Sequence, residues 1–113
     1  MEIKEIIAHQ RLFDATHRGR FNWDQPVSAD SLTMLEYLTL ALSGESGEVA
    51  NCVKKVIRGD VSYQDYKEEI IKEITDVFIY VIKFAYQMDF DLEEAYLKKT
   101  EENRVRFKSF ENE

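Results

Sequence analysis

The stretch KEEIIKEITDVFIYVIKFAYQM, residues 67–88, decides the fold of this chain. It is rich in apolar residues, contains neither Gly nor Pro, and carries Lys and Glu at intervals along its length. Because an apolar run this long exceeds a normal strand, the Ile-Ile and Phe-Ile pairs inside it do not indicate β-structure. The segment is predicted to be a helix that begins between Ser62 and Asp65 and ends near Met88.

Three further segments follow the 3.6-residue period of an α-helix. They cover about residues 3–18, from 30 or 31 to 59, and 91–107. The chain has 113 residues, with only four Gly and one Pro to make turns, and no linker divides it. The sequence therefore predicts an all-α four-helix bundle that forms a single domain over residues 1–113.

The predicted third helix has more apolar surface than one small bundle needs. One of its faces is formed by Ile70, Ile74, Val77, Val81, Phe84 and Met88, and a second row by Ile71, Phe78 and Ile82. An excess of this kind indicates that a partner subunit packs there, and the other three helices are the alternative cover. We expect the bundle to be completed by oligomerisation, as a dimer or a tetramer.

The charge and the cysteine content exclude several classes of function. A formal net charge of −7 argues against a protein that binds duplex nucleic acid, because such proteins neutralise phosphates with Lys and Arg. Cys52 is the single cysteine, which excludes an intrachain disulfide and indicates a reducing compartment. No run reaches transmembrane length and the first ten residues lack the apolar core of a signal peptide, so we expect a cytoplasmic protein without a membrane partner.

Two acidic pairs lie inside the most apolar helical segments, Glu45-x-x-Glu48 on the second and Glu73-x-x-Asp76 on the third. The spacing i, i+3 places both carboxylates of a pair on one side of its helix, and Glu45 falls within the apolar stripe. If the two helices face each other, four carboxylates converge and repel, so that a cation is needed between them. Mg²⁺ is the favoured candidate because it takes oxygen ligands, whereas buried salt bridges to Lys or Arg are the alternative.

Positive charge accompanies these acids along the sequence. Lys55 lies one heptad after Glu48, on the same edge of the second helix. On the fourth helix Lys99, Asn103 and Arg106 share one face, because they are spaced i, i+4 and i+7. Such a face predicts a surface that meets anions at one end of the bundle, and a solvated helix end is the alternative.

The aromatic residue Trp23 lies in the predicted loop between the first two helices, close to Arg18, Arg20 and Phe21. It either stacks on a nucleobase, which presents a π-face, or plugs the open end of the bundle. The sequence does not decide between these two roles. Neither of the two histidines is placed for catalysis.

Taken together, these residues resemble the all-α nucleoside triphosphate pyrophosphohydrolase superfamily, the MazG-like group. The resemblance is carried by GESGEVANCVKK (44–55), KEITDVFIYVI (72–82) and KTEENRVRF (99–107). The region around Trp23 is similar to the aromatic loop of the dCTP pyrophosphatase-like branch. Gly44 stands where many relatives carry a second glutamate, which leaves the branch open.

The resemblance implies a Mg²⁺-dependent enzyme, with Mn²⁺ able to substitute, that cleaves nucleoside triphosphates between the α and β phosphates and serves nucleotide-pool housecleaning. The metal would be held by Glu45, Glu48, Glu73 and Asp76. Glu45 or Glu48 would also orient or deprotonate the attacking water. Contacts to phosphates, or closure of the site, would come from Lys55, Lys99, Asn103 and Arg106.

Other functions stay open at this point. A non-catalytic helical oligomer or partner-binding module would not respond to Mg²⁺. A ferritin-like di-iron protein is excluded because no His stands three residues after a Glu. Within the superfamily, phosphoribosyl-ATP pyrophosphohydrolases and dUTPase-like enzymes are the alternatives.

Overall fold

The structure is a computed structural model that describes residues 1–112, and these residues form an all-helical fold without strands. The four α-helices are α1 (Ile3–Ala15), α2 (Thr33–Ile57), α3 (Tyr63–Gln87) and α4 (Leu92–Arg106), followed by a short 3₁₀ helix at Lys108–Phe110. The predicted all-α class with four helices is confirmed, and Glu113, the last residue of the predicted domain, lies outside the described residues. No helix of residues 1–112 combines the length and the apolar character that crossing a bilayer requires.

The sequence between α2 and α3 makes the chain reverse its direction. Gly59 has a φ of +83°, a left-handed conformation that glycine adopts without strain. The N–H groups of Gly59 and Asp60 donate to the carbonyls of Val56 and Lys55, both at 3.0 Å, which is a Schellman ending of α2. Ser62 then caps α3, because its hydroxyl accepts an N–H of the first turn at 3.1 Å. The two helices, 25 residues each, form an antiparallel hairpin.

Three predicted helix boundaries are wrong by two or three residues, and one of them is the end of α2, at residue 57 rather than 59. α1 stops at residue 15 rather than near 18, where the hydroxyl of Thr16 donates to the carbonyl of Phe13 at 2.9 Å and the chain turns away. α2 begins at residue 33 rather than at 30 or 31. The reason is that Ser28 and Ser31 pair through two backbone hydrogen bonds of 3.1 and 3.0 Å, which hold the residues between them in a turn.

The buried apolar core of the described chain is small. It consists of Met34, Leu38, Cys52, Ile82 and Ala85. Helices α1 and α2 both pack on α3, whereas α4 makes its main helix contacts, which are few, with α1 and has no buried residue. The α2–α3 hairpin is therefore the centre of the fold, and it carries both acidic pairs.

The loop between α1 and α2 is fastened to the end of α3 by Gln87, whose side chain is fully buried. The Nε2 atom of Gln87 donates to the carbonyls of Trp23 at 3.0 Å and of Gln25 at 2.9 Å. The backbone carbonyl of Gln87 accepts the N–H of Val27 at 2.7 Å. Three hydrogen bonds to one residue thus hold the loop over the open end of the hairpin.

Replacing Gln87 by Leu is expected to lower the free energy of unfolding by about 1–3 kcal/mol, because two loop carbonyls lose their donor. Urea denaturation measures this loss. The matched control is Gln64→Leu on the exposed surface of α3, for which we expect a change below about 0.5 kcal/mol. Equal losses in the two variants would contradict the anchoring role of Gln87.

Candidate metal centre and active site

The hairpin brings the two acidic pairs together. Because α2 and α3 are antiparallel, the first acid of α2 faces the last acid of α3. Glu45, Glu73 and Asp76 each place a carboxylate oxygen within 4.8 Å of those of the other two, and all three residues are partly buried. The structure therefore contains the predicted convergence of carboxylates from facing helices.

Glu48 is the predicted ligand that stands apart. It lies about one turn further along α2, its side chain is exposed, and it does not belong to the cluster of three carboxylates. Its negative charge still acts on Glu45 and Glu73 and raises the pKa of both. The site thus consists of three clustered carboxylates and a fourth at its solvent-facing margin.

The crowding of the acids changes their affinity for protons. Partial burial raises the pKa of Glu45, and the charges of Asp76 and Glu73 raise it further. Loss of solvent also raises the pKa of Glu73, together with the charges of Glu48 and Asp76. In the absence of a cation, the ionised forms of Glu45 and Glu73 are therefore less stable than an ordinary glutamate in water.

Among the described residues, no basic side chain forms an ion pair with this cluster. The ion pairs within residues 1–112 involve neither Glu45 nor Glu73 nor Asp76, so the alternative of buried salt bridges is wrong for these acids. Converging carboxylate oxygens without a cationic partner are the donor set that hard divalent cations prefer. The residues present fit Mg²⁺ or Mn²⁺.

The raised pKa values of Glu45 and Glu73 predict a pH dependence of the metal-free protein. A carboxyl group whose pKa is higher in the folded state contributes most to stability at low pH, and this contribution is lost as the pH rises through the folded-state pKa. In EDTA, the Glu45→Gln/Glu73→Gln variant should therefore gain stability over the unaltered protein as the pH rises above the ordinary pKa of a glutamate. Urea midpoints at several pH values measure the difference, and a difference that does not change with pH would contradict the assignment.

Lys55 lies on the same side of the hairpin, toward the Gly59 turn. Its Nζ donates to the hydroxyl of Tyr66 at 3.4 Å and lies 5.8 Å from the centroid of that ring. Lys55 follows Glu48 by seven residues on α2, and Tyr66 precedes Glu73 by seven on α3, so this contact lies two turns from the acids. Its role toward phosphates stays a prediction.

The predicted cations of α4 are not brought to the acids by the packing of one chain. The main helix contacts of α4 are with α1 rather than with the α2–α3 hairpin. Lys99 pairs with Glu102 at 3.5 Å, the Arg106 guanidinium lies 4.9 Å from the ring centroid of Phe107, and Asn103 is partly buried. Their role in substrate binding stays a prediction.

Trp23 is partly buried in an aromatic cluster at the end of the hairpin. Its ring centroid lies 4.7 Å from that of Phe21 and 5.7 Å from that of Tyr37 on α2. This packing corresponds to one of the two predicted roles, in which Trp23 closes the open end of the bundle. Stacking of Trp23 on a nucleobase stays a prediction.

A cavity of about 470 Å³ opens between α1 and the hairpin, directly beside the acids. It is lined by His9, Gln10, Phe13, Asp14, Glu45, Asp76, Ile79, Tyr80 and Lys83. Its volume lies within the range of small-molecule sites. Burial, the adjacent Tyr37 hydroxyl, and the charges of Glu45 and Asp76 raise the pKa of Tyr80 to about 12, so Tyr80 is a neutral hydroxyl in the cavity wall at neutral pH.

Several residues of this cavity have no predicted role in the sequence, and His9, which is predicted not to take part in catalysis, lines it. Tyr80 and Lys83 follow Asp76 at i+4 and i+7, so the rows of α3 contain the signal that places them beside the acids. The docking of α1 on α3 places Asp14 and the other lining residues of α1 in the cavity wall. Spacing within one helix contains no information about that docking.

The family comparison agrees with this geometry. The sequence model of the MazG nucleotide pyrophosphohydrolase domain matches residues 33–108, which include all four acids. The Gene 37 protein of Mycobacterium phage L5 is 42% identical over 62 residues, which are 53% of this chain and 54% of that protein. The chain thus spans about half the length of this curated relative. No solved structure matches the chain. Because the matched domain covers well over half of the sequence, the chain belongs to the MazG nucleotide pyrophosphohydrolase domain family.

Proposed function

We propose that this protein is a nucleoside triphosphate pyrophosphohydrolase that cleaves the α–β phosphoanhydride and releases a monophosphate and pyrophosphate. The observation that carries the proposal is the cluster of Glu45, Glu73 and Asp76 within 4.8 Å, without a basic partner, beside a cavity of about 470 Å³. A cavity next to a cation-binding set of oxygens suits a ligand that joins an organic half to phosphates. The catalytic unit proposed is a single domain over residues 1–113.

The residues of the chain divide the chemistry between them. Glu45, Glu73 and Asp76 would hold Mg²⁺, with Glu48 completing the set from its margin. When bound, the metal neutralises phosphate charge and lowers the pKa of a water molecule. Glu48 is exposed and outside the cluster, so it is the carboxylate best placed to accept a proton from an attacking water.

The cavity between α1 and the hairpin would receive the nucleoside half of the substrate. Its walls carry the rings of Phe13 and Tyr80 and the side chain of Ile79, surfaces on which a base can stack. Lys55 lies on the other side of the acids, where it would meet the outer phosphates. The site would thus bind the nucleoside and the polyphosphate on opposite sides of the carboxylates.

We also propose that the bundle is completed by a second copy of the chain. The radius of gyration is 17.4 Å, against about 13 Å for a compact domain of this length. Ile71, Ile74 and Phe78 form a stripe on α3 that is 44, 52 and 41% exposed. The prediction that Ile82 shares this uncovered row is wrong, because Ile82 is buried within the chain.

The stripe continues into an apolar groove of about 590 Å³ between α3 and α4, lined partly by Phe78, Val81, Leu92 and Tyr96. A symmetric copy of the chain would bury this surface, and most soluble oligomers are symmetric assemblies of one chain. The single cysteine, Cys52, is free and buried, which suits a cytoplasmic enzyme that acts on free nucleotides.

The test is a panel of ribonucleoside, deoxyribonucleoside and damaged-base triphosphates, incubated with Mg²⁺, with Mn²⁺ or with EDTA. Release of pyrophosphate is followed with a coupled inorganic pyrophosphatase. We expect turnover of at least one triphosphate with Mg²⁺ and none with EDTA. Absence of turnover across the panel, in a protein whose melting temperature does not respond to Mg²⁺, would favour a non-catalytic helical module.

A further inference from the structure

Lys83 lies in the wall of the cavity, and the function proposed above does not use it. Its Nζ donates to Oδ1 of Asp14 at 3.2 Å, and the two side chains are 14 and 5% exposed. The same Nζ lies 5.5 Å from the ring centroid of Tyr80. A buried ion pair of this kind is costly to assemble, so its position beside a candidate substrate cavity calls for a physical reason.

Three donors use the hydrogen-bonding capacity of Asp14, whereas the hydrogen-bonding capacity of Lys83 is only partly used. The carboxylate of Asp14 accepts hydrogen bonds from Gln10 at 3.0 Å, from Lys83, and from the hydroxyl of Tyr86. The ammonium group has three donors, and within residues 1–112 Asp14 is its one hydrogen-bond acceptor. Lys83, held in place by Asp14, therefore has spare N–H donors that can bind a ligand in the cavity.

The position of Lys83 places it where the nucleoside half of the substrate is proposed to bind. It follows Asp76 by seven residues on α3, which is about 10 Å along the helix axis. Its charge contributes, after the larger effect of the Arg18 hydrogen bond, to the lowered pKa of Asp24 in the α1–α2 loop. Lys83 thus lies away from the acids, toward the α1–α2 loop, where the far edge of a base would reach if its α-phosphate lay at the acids.

We propose that Lys83, held by Asp14, donates a hydrogen bond to a keto oxygen of the nucleobase, so that the site binds keto-bearing bases more tightly than adenine. This inference rests on the proposed function, since it takes a nucleoside triphosphate as the ligand. An ammonium group only donates, and guanine O6 and uracil or thymine O4 only accept. Adenine carries an amino donor at the corresponding position, which cannot accept this hydrogen bond.

The experiment measures binding rather than turnover. The probes are the α,β-methylene analogues of dGTP and dATP, which match in size and resist cleavage, and inorganic tripolyphosphate, which lacks a nucleoside. Each is titrated calorimetrically with Mg²⁺ into three proteins: the unaltered chain, Lys83→Arg, and the double variant Asp14→Asn/Lys83→Met. The double variant removes both charges together, so that no lone buried charge is left to unfold it.

We expect the unaltered protein to bind the dGTP analogue roughly 10- to 100-fold more tightly than the dATP analogue, the usual size of a hydrogen bond to a charged group. Lys83→Arg should keep this preference, and the double variant should reduce it to less than about threefold without changing the affinity for tripolyphosphate. If the pair serves only to fasten α1 to α3, the double variant melts at a lower temperature and keeps the full base preference, which overturns the inference.

Three further outcomes test this inference, and the first two separate it from the proposed function. Equal binding of the two analogues by the unaltered protein, or tighter binding of the dATP analogue, overturns the role of Lys83 and leaves pyrophosphohydrolysis standing. Failure of the unaltered protein to bind either analogue or tripolyphosphate overturns both. A double variant that loses tripolyphosphate binding as well assigns Lys83 to the phosphates and overturns its role as a reader of the base.

Discussion

Replacing Glu48 by Gln is expected to lower kcat by roughly 100- to 10,000-fold, the usual contribution of a general base. The reason is the position of Glu48 at the margin of the carboxylate cluster, where its exposed side chain can reach a water molecule. Its exposure also means that little packing is lost, so the helical circular dichroism spectrum and the urea midpoint should not change. Initial rates with saturating triphosphate and Mg²⁺ measure the effect.

The control is Glu36→Gln, which removes a carboxylate from an exposed position near the start of the same helix and should leave kcat unchanged. Full activity of Glu48→Gln in a correctly folded protein would contradict the role of Glu48.

The companion variant Glu45→Gln separates the metal centre from the base. It should abolish the rise in melting temperature on addition of Mg²⁺, and in EDTA it should melt at a higher temperature than the unaltered protein, because a repelling charge is removed.

If a second copy completes the bundle as proposed, replacing Phe78 by Glu is expected to yield single chains of 13.3 kDa and to lower the melting temperature. Phe78 belongs to the exposed stripe of α3 and also lines the groove between α3 and α4, so it lies at the centre of the surface proposed for the second copy. A buried, unpaired carboxylate at such a position costs more than the interface can compensate. Analytical ultracentrifugation over a range of protein concentrations measures the change.

Ala50→Glu is the control, since it places a glutamate at an exposed position of α2, a helix that does not carry the stripe. We expect this variant to sediment like the unaltered protein. The proposal of a second copy fails if the unaltered protein already sediments as a single chain, or if Phe78→Glu leaves the oligomer intact.

The helices and the acidic cluster were predictable because both depend on local spacing. The 3.6-residue period locates all four helices, and Gly59 and Ser62 mark the turn that makes the hairpin antiparallel. Once the hairpin exists, the i, i+3 spacing alone directs Glu45 toward the pair on α3. These features need no knowledge of distant contacts.

The remaining features depend on contacts that the 3.6-residue period does not contain, either within the α1–α2 loop or between distant segments. The start of α2 moved because Ser28 and Ser31 pair with each other, which competes with the capping of the helix by its own side chains. The pairing of Asp14 with Lys83 requires the docking of α1 on α3 across a separation of 69 residues. The periodicity of one helix does not contain these contacts, so the cavity and its lining could not be predicted.

The identity of the products tests the central claim most directly. The unaltered protein is incubated with Mg²⁺ and the triphosphate that it turns over fastest, and the products are identified by ³¹P nuclear magnetic resonance. Cleavage at the α–β bond predicts nucleoside monophosphate and pyrophosphate in equal amounts, with no orthophosphate. Nucleoside diphosphate and orthophosphate as the products would contradict the account.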